Sequence, residues 1–132
     1  MGLELNVRFP GGKRVDVEVG GFVIPTDQLP RDGGEASAPP PFYLFLGSIA
    51  TCAGIYALGF CQSRNLSTEG LALSMDWDWD PKRPGPAKAL LRLRLPQGFP
   101  EHYRDGIVKA MELCAVKKNI ETPPEFRIEV EG

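Results

Sequence analysis

Twenty consecutive residues, Phe42 to Cys61, carry no charge and are mostly apolar. A helix that is hydrophobic on every side cannot rest on a water-exposed surface. It needs cover all round, from a protein core, from an oligomer or from lipid. The run is long enough to span a bilayer. It also holds Gly47, Gly54 and Gly59, Ser48 and Thr51, and two cysteines, Cys52 and Cys61, and strand patterns of a soluble domain flank it. The expectation is therefore a buried helix and no membrane span. Pro39 to Pro41 suit a helix start, because proline fits the first turn. The helix should run from about Pro41 to Arg64, with Asn65 to Gly70 closing it.

The 132 residues are expected to form one domain over 1–132 with a substantial core. Hydrophobic residues make up 42% and charged residues 24%, the balance of a soluble globular chain. The net charge is −2 and no basic cluster stands out, which argues against a nucleic-acid surface and against a polybasic membrane patch. The opening residues MGLELNVRF lack the basic-then-apolar pattern of an export signal. A cytoplasmic, reducing setting is expected, where cysteines serve catalysis or metals more than structure.

Strand patterns surround the helix. Leu3, Leu5, Val7 and Phe9 alternate with polar residues, as do Val15, Val17 and Val19. The turn Pro10-Gly11-Gly12-Lys13 makes them a hairpin, with Phe9 beside Val15 and Val7 beside Val17. Phe22-Val23-Ile24 fits a short third strand. Residues 25–40, rich in proline, glycine and small polar residues, read as a long loop, either a binding segment or a plain connector. Leu71, Leu73, Met75, Trp77 and Trp79 alternate with three aspartates among their neighbours. Pro81 to Pro86 form a turn, and Ala89, Leu91, Leu93 and Leu95 follow in a second hairpin. Its polar face sets Asp76, Asp78 and Asp80 near Lys88, Arg92 and Arg94, a favourable cross-strand arrangement. The tryptophans are read as sheet-face packing. A second, amphipathic helix is expected from Pro100 to Lys118, with Tyr103, Ile107, Ala110, Met111 and Cys114 on its apolar stripe. Pro123-Pro124 stops it, and Phe126, Ile128 and Val130 alternate as a last strand. The expected fold is α+β, in the order ββ(β)-α-ββ-α-β.

The chemistry that such a chain offers is that of thiols. Nine residues separate Cys52 from Cys61, about two and a half helical turns, so the two lie on opposite faces and cannot bond to each other. Cys114 is the better partner for Cys52, if the two helices pack face to face. A thiolate that attacks a peroxide becomes a sulfenic acid, and a second thiol condenses with that acid to a disulfide. An external dithiol then restores the pair. An apolar wall, with Leu44, Phe45, Ile49, Ile55 and Tyr56 as candidates, favours organic peroxides. No charge lies within nine residues of Cys52, so its activating cation must come from elsewhere in the fold or from a partner chain. Cys114 has Lys117 and Lys118 within side-chain reach on a helix. The plainer alternative is that all three cysteines are small buried hydrophobes. No C-x-x-C or H-x-x-x-H spacing exists, so no metal and no cofactor is expected, and His102 reads as a solvated helix-end histidine.

PPPFYLFLGSIATC, residues 39–52, resembles the proline-then-apolar helix that leads to the first cysteine of the OsmC/Ohr family (osmotically inducible protein C and organic hydroperoxide resistance protein). AMELCAVKKNI followed by FRIEVEG resembles that family's second cysteine helix and closing strand. The resemblance implies an intertwined homodimer with central helices wrapped by sheets. It implies thiol-dependent reduction of organic hydroperoxides, with Cys52 peroxidatic, Cys114 resolving, and a lipoyl-type or other small dithiol as reductant. It implies an activating arginine in the first hairpin turn, where Lys13 and Arg14 stand. The family's active members carry a glutamate nine or ten residues before the first cysteine; here those positions hold Tyr43 and Phe42. Arg31 and Glu35, in the loop entering the helix, are a candidate substitute pair. Phe42, Tyr43, Phe45, Ile49 and Tyr56 are the expected substrate contacts. The alternative function is a non-catalytic protein of the same fold whose apolar pocket holds a small or lipid-like ligand.

Overall fold

Proline at residue 41 starts one long helix, α1 (Pro41–Ser63), and nothing in its uncharged interior breaks it. It lies in a computed structural model of the chain that describes residues 2–78, 82 and 88–132. Asn65 ends the helix in the left-handed conformation, at φ 54°. The Asn65 N–H reaches the carbonyl of Gln62 and the Leu66 N–H that of Cys61, which satisfies two otherwise orphaned helix-end acceptors.

The chain forms two compact units, residues 1–47 and 48–132, and α1 runs through the boundary. The first unit holds β1 (Asn6–Gly11), β2 (Arg14–Val19) and β3 (Phe22–Ile24) in one antiparallel sheet of that order. The expected partnership of Val7 with Val17 is present. Between Arg8 and Gly11 the register shifts, so the expected Phe9–Val15 pairing falls in an irregular stretch. A bulge of this kind absorbs one extra residue and bends the strand.

The loop after β3 is built around a carboxylate. Asp27 is 1% exposed. It accepts hydrogen bonds from the backbone N–H groups of Gln28, Glu35 and Ser37 and from the Ser37 hydroxyl. These bonds hold its pKa down at about 2, led by the Ser37 hydroxyl. Gly34 approaches the Gln28 backbone so closely that a Cβ would lie 2.0 Å from the Gln28 carbonyl oxygen. Residues 25–40 are thus a folded loop with a 3-10 turn at Pro30–Asp32.

In the second unit, β4 (Ala72–Asp78) and β5 (Lys88–Arg94) form an antiparallel hairpin. Leu73 faces Leu93, Met75 faces Leu91 and Trp77 faces Ala89, so the expected apolar face exists. On the polar face Asp78 stands opposite Lys88, and Asp76 bonds to Arg92. Trp79, Asp80 and the expected turn from Pro81 to Pro86, Lys82 excepted, lie outside the described residues.

One stripe of α1 is buried: Ile49, Ala53, Ala57, Phe60 and Cys61. The lower part of this stripe meets Ile107 in a core joined by Leu66, Leu93, Leu95 and Met111. Gly106 permits that approach, since a Cβ there would sit 3.1 Å from the Phe60 ring. The rest of α1 is not enclosed within one chain; Ile55 is 59% exposed.

The second helix differs from expectation. It begins as a 3-10 turn at Glu101–Tyr103, continues as α2 (Arg104–Met111), breaks over residues 112–114 and resumes as α3 (Ala115–Glu121). Cys114 is the N-cap of α3, with φ −49° and ψ 122°, and so leaves the expected helical stripe. The closing strand is also missing from the described structure. Residues 123–132 form no regular element, and Phe126, Ile128 and Val130 are 84%, 92% and 93% exposed. Alternation prepares a strand, but a strand exists only where another edge supplies hydrogen bonds.

Candidate active site

Cys52 sits mid-helix on α1, and the break after α2 brings Cys114 to it. The S–H of Cys114 donates to the Cys52 sulfur, and the backbone N–H groups of Val116 and Ala115 point at the same atom. These are the free donors of the first turn of α3, which have no carbonyl partner within their own helix. The Cys114 hydrogen bond, then the two N–H groups, pull the Cys52 pKa below its ordinary value against the opposing effect of burial.

Cys114 moves the other way. Burial, and then the sulfur of Cys52 beside it, push its thiol up. It is 1% exposed, whereas Cys52 is half-buried. The more reachable sulfur is thus the more acidic one, and the enclosed sulfur keeps its proton. Spacing put Lys117 and Lys118 within side-chain reach of Cys114; the Lys117 ammonium pairs with Glu121 at 3.6 Å, and it is the Lys117 backbone N–H that reaches Cys114. Within this unit the groups that lower the Cys52 pKa are the neighbouring Cys114 thiol and backbone N–H groups, and no cation is among them.

Cys61 is fully buried among Ala57, Phe60 and Ile107, and burial pushes its pKa up despite nearby Arg64. It behaves as a core residue, in keeping with its place on the face opposite Cys52.

The remaining expected residues fall in both units. Arg14 donates from Nε to the carbonyl of Gly11 at 3.3 Å and from Nη2 to that of Pro10 at 3.4 Å, bracing its own turn. Arg31 pairs with Asp32 at 3.6 Å rather than with Glu35, and the Glu35 backbone N–H serves Asp27. Phe42, Tyr43 and Phe45 lie in the first unit, all partly exposed, with the Phe42 and Phe45 rings 5.7 Å apart. Ile49 and Tyr56 lie in the second unit, Ile49 buried one turn before Cys52 and Tyr56 half-buried one turn after it. His102 is exposed, in the 3-10 turn before α2, with its ring 4.2 Å from that of Tyr103. Sequence reasoning missed the N–H groups of Ala115 and Val116. The apolar spacing gave no signal of the break, because Cys114 keeps the helical period of Ile107, Ala110 and Met111.

Comparison with known proteins follows this geometry. Residues 33–129 match the family model described as OsmC-like protein. No curated protein matches the sequence. Among solved structures, a protein from Psychrobacter arcticus described as an osmotic-stress-induced and detoxification-response protein has a TM-score of 0.71 at 16% identity, covering 87% of this chain and 85% of its own. An organic hydroperoxide resistance protein OsmC from Legionella pneumophila has a TM-score of 0.61 at 18% identity, covering 91% and 89%. At these identities the likeness is one of fold: α+β, with helices and two antiparallel sheets.

Proposed function

The chain belongs to the OsmC-like family, and from that premise we propose that it reduces organic hydroperoxides through Cys52 and Cys114. Membership supports a role in peroxide stress. The observation that carries the finer reading is the single contact in which Cys114 and the start of α3 converge on the Cys52 sulfur.

The Cys52 thiolate attacks the outer peroxide oxygen. The O–O bond breaks, the alkoxide leaves and takes a proton to become the alcohol, and Cys52 becomes a sulfenic acid. The Cys114 sulfur then attacks the Cys52 sulfur. An S–S bond forms, and the sulfenic oxygen departs as water with the Cys114 proton. The two thiols have supplied two electrons. A small dithiol, of lipoyl or similar type, reduces the disulfide by exchange and becomes a disulfide itself. The reaction needs a reducing compartment, which we take to be the cytoplasm. OsmC-family proteins are generally homodimeric, and a second copy is the proposed source of the missing cation and of cover for α1. Arg14 and Arg31, each now braced within its own segment, are the candidates for that cation.

Cumene hydroperoxide added to the reduced protein, followed by disulfide mapping, tests the reading. The expected product is a Cys52–Cys114 disulfide formed with loss of one peroxide per chain. Cys52→Ser should abolish consumption, and Cys61→Ser should leave it intact. A protein that stays reduced under excess peroxide would sink the proposal. A second reading, a non-catalytic protein holding a ligand in an apolar pocket, is favoured by Phe42 and Tyr43 standing where active members carry glutamate.

A further inference from the structure

The two N–H groups that face Cys52 belong to consecutive peptides. The Ala115 N–H shares a peptide with the Cys114 carbonyl, and the Val116 N–H shares one with the Ala115 carbonyl. An amide N–H donates more strongly when its own carbonyl accepts a hydrogen bond, because each bond polarises the next. What these two carbonyls accept therefore bears on the sulfur. The Cys114 carbonyl accepts the backbone N–H of Lys118 at 3.1 Å. The Ala115 carbonyl accepts Nδ2–H of the Asn119 side chain at 2.8 Å. In α3 that carbonyl also faces the backbone N–H of Asn119, four residues on. A carbonyl oxygen has two lone pairs and can hold both donors. Of the two N–H groups, that of Val116 acts the more strongly on Cys52.

Asn119 is exposed, so burial does not account for it. Asparagine is also a weaker helix former than alanine, because its side chain competes for backbone groups. Helix stability therefore gives no reason for it in the seven residues of α3. Nor do charges take over the role. Glu112, Lys117, Lys118 and Glu121 are the charged side chains of this segment; none is among the groups that act on Cys52, and Lys117 pairs with Glu121 at 3.6 Å.

We propose that Asn119 is a positioning residue for the Cys52 thiolate: its side chain, bonded to the Ala115 carbonyl, fixes the Ala115–Val116 peptide and strengthens the N–H aimed at the sulfur. The relay runs from the Asn119 amide through one peptide to Sγ, and needs no contact between Asn119 and sulfur or peroxide. The inference rests on the reading of Cys52 as the attacking thiol. It adds to that reading a residue, apart from both cysteines, that governs how readily the attacker ionises.

Alkylation of the full-length reduced protein by iodoacetamide, without peroxide, tests this, with the rate at Cys52 followed by peptide mass across a pH series. Asn119→Ala should raise the midpoint of the rate–pH profile and slow alkylation at neutral pH about twofold, the size expected from losing one cooperative bond. Alanine is the better helix former, so the circular dichroism spectrum and the urea midpoint should hold or improve. A residue that served only the helix would leave the rate–pH profile where it was. Asn119→Ser should restore the parental profile, because a serine hydroxyl can donate to the carbonyl four residues back. Asn119→Asp keeps the shape but puts an acceptor where the donor stood, and should raise the midpoint. A parental profile in Asn119→Ala or Asn119→Asp would overturn the proposal, and so would an Asn119→Ser profile no different from that of Asn119→Ala. No peroxide enters these measurements, so failure here is distinct from failure of the disulfide-mapping assay, which would strike the peroxidase reading instead.

Discussion

A thiol is activated here by its neighbours' protons. Cys52 lies below its ordinary pKa because an S–H and two backbone N–H groups stabilise the thiolate, while Cys114 lies above. Iodoacetamide should therefore label Cys52 before Cys114, and the midpoint of its rate–pH profile should fall below the ordinary cysteine value of 9.0. In Cys114→Ser the serine hydroxyl is a different donor and cannot form a disulfide. Peroxide should then leave a sulfenic acid on Cys52, trappable with dimedone. Asp27 makes a separate prediction. Its folded pKa of about 2 is below the ordinary 3.8, so its ionised form stabilises the fold above 3.8 and that contribution fades as pH falls towards 2. Asp27→Asn should be less stable than the parent at neutral pH, and urea titrations should show the gap narrowing across that window. Neither Asp27 nor the donors to Cys52 stood out in the sequence. An aspartate beside a loop is ordinary, and N–H groups belong to every residue.

At the scale of elements, the break after α2 is the decisive feature. A continuous helix from Pro100 to Lys118 would use the N–H groups of Ala115 and Val116 in its own ladder and leave none for a sulfur. Because Cys114 ends one helix segment and caps the next, those groups are free. Ala115→Pro tests this with little structural disturbance. Proline is tolerated at the first helical position, and Cys114 already has the extended backbone that must precede it. The variant should keep its helical content, and the Cys52 midpoint should rise because one donor is gone; an unchanged midpoint would contradict the role given to that N–H. The end of α1 is a second such element. Asn65→Ala keeps the left-handed backbone without a side chain suited to it and should lower stability by about 1 kcal/mol, read from chemical denaturation. Period-two alternation made strands legible where a neighbouring edge exists, and β2, β4 and β5 lie where it placed them, whereas the alternation of Phe126, Ile128 and Val130 forms no strand.

For the whole molecule, the apolar surface of one chain is too large to be left in water. Leu3 and Leu5, which precede the first strand, and Val7 and Phe9 on it are 72%, 54%, 53% and 79% exposed, and the C-terminal segment repeats the pattern. Covered by a second copy, as the proposed homodimer requires, these faces would be buried, and sedimentation should give twice the chain mass. Deleting residues 126–132 should shift that mass towards the monomer or lower the melting temperature; no effect on either would remove the segment from the interface. The patterns that sequence alone determined are those stored in neighbouring residues: an uncharged helix bounded by proline and asparagine, two hairpins with one greasy face each, and a thiol pair on separate segments. Only the tertiary structure decided which sulfur ionises, which carboxylate is buried and where the second helix breaks. Those outcomes depend on groups distant along the chain meeting in space, where the balance between desolvation and a few hydrogen bonds sets the charge.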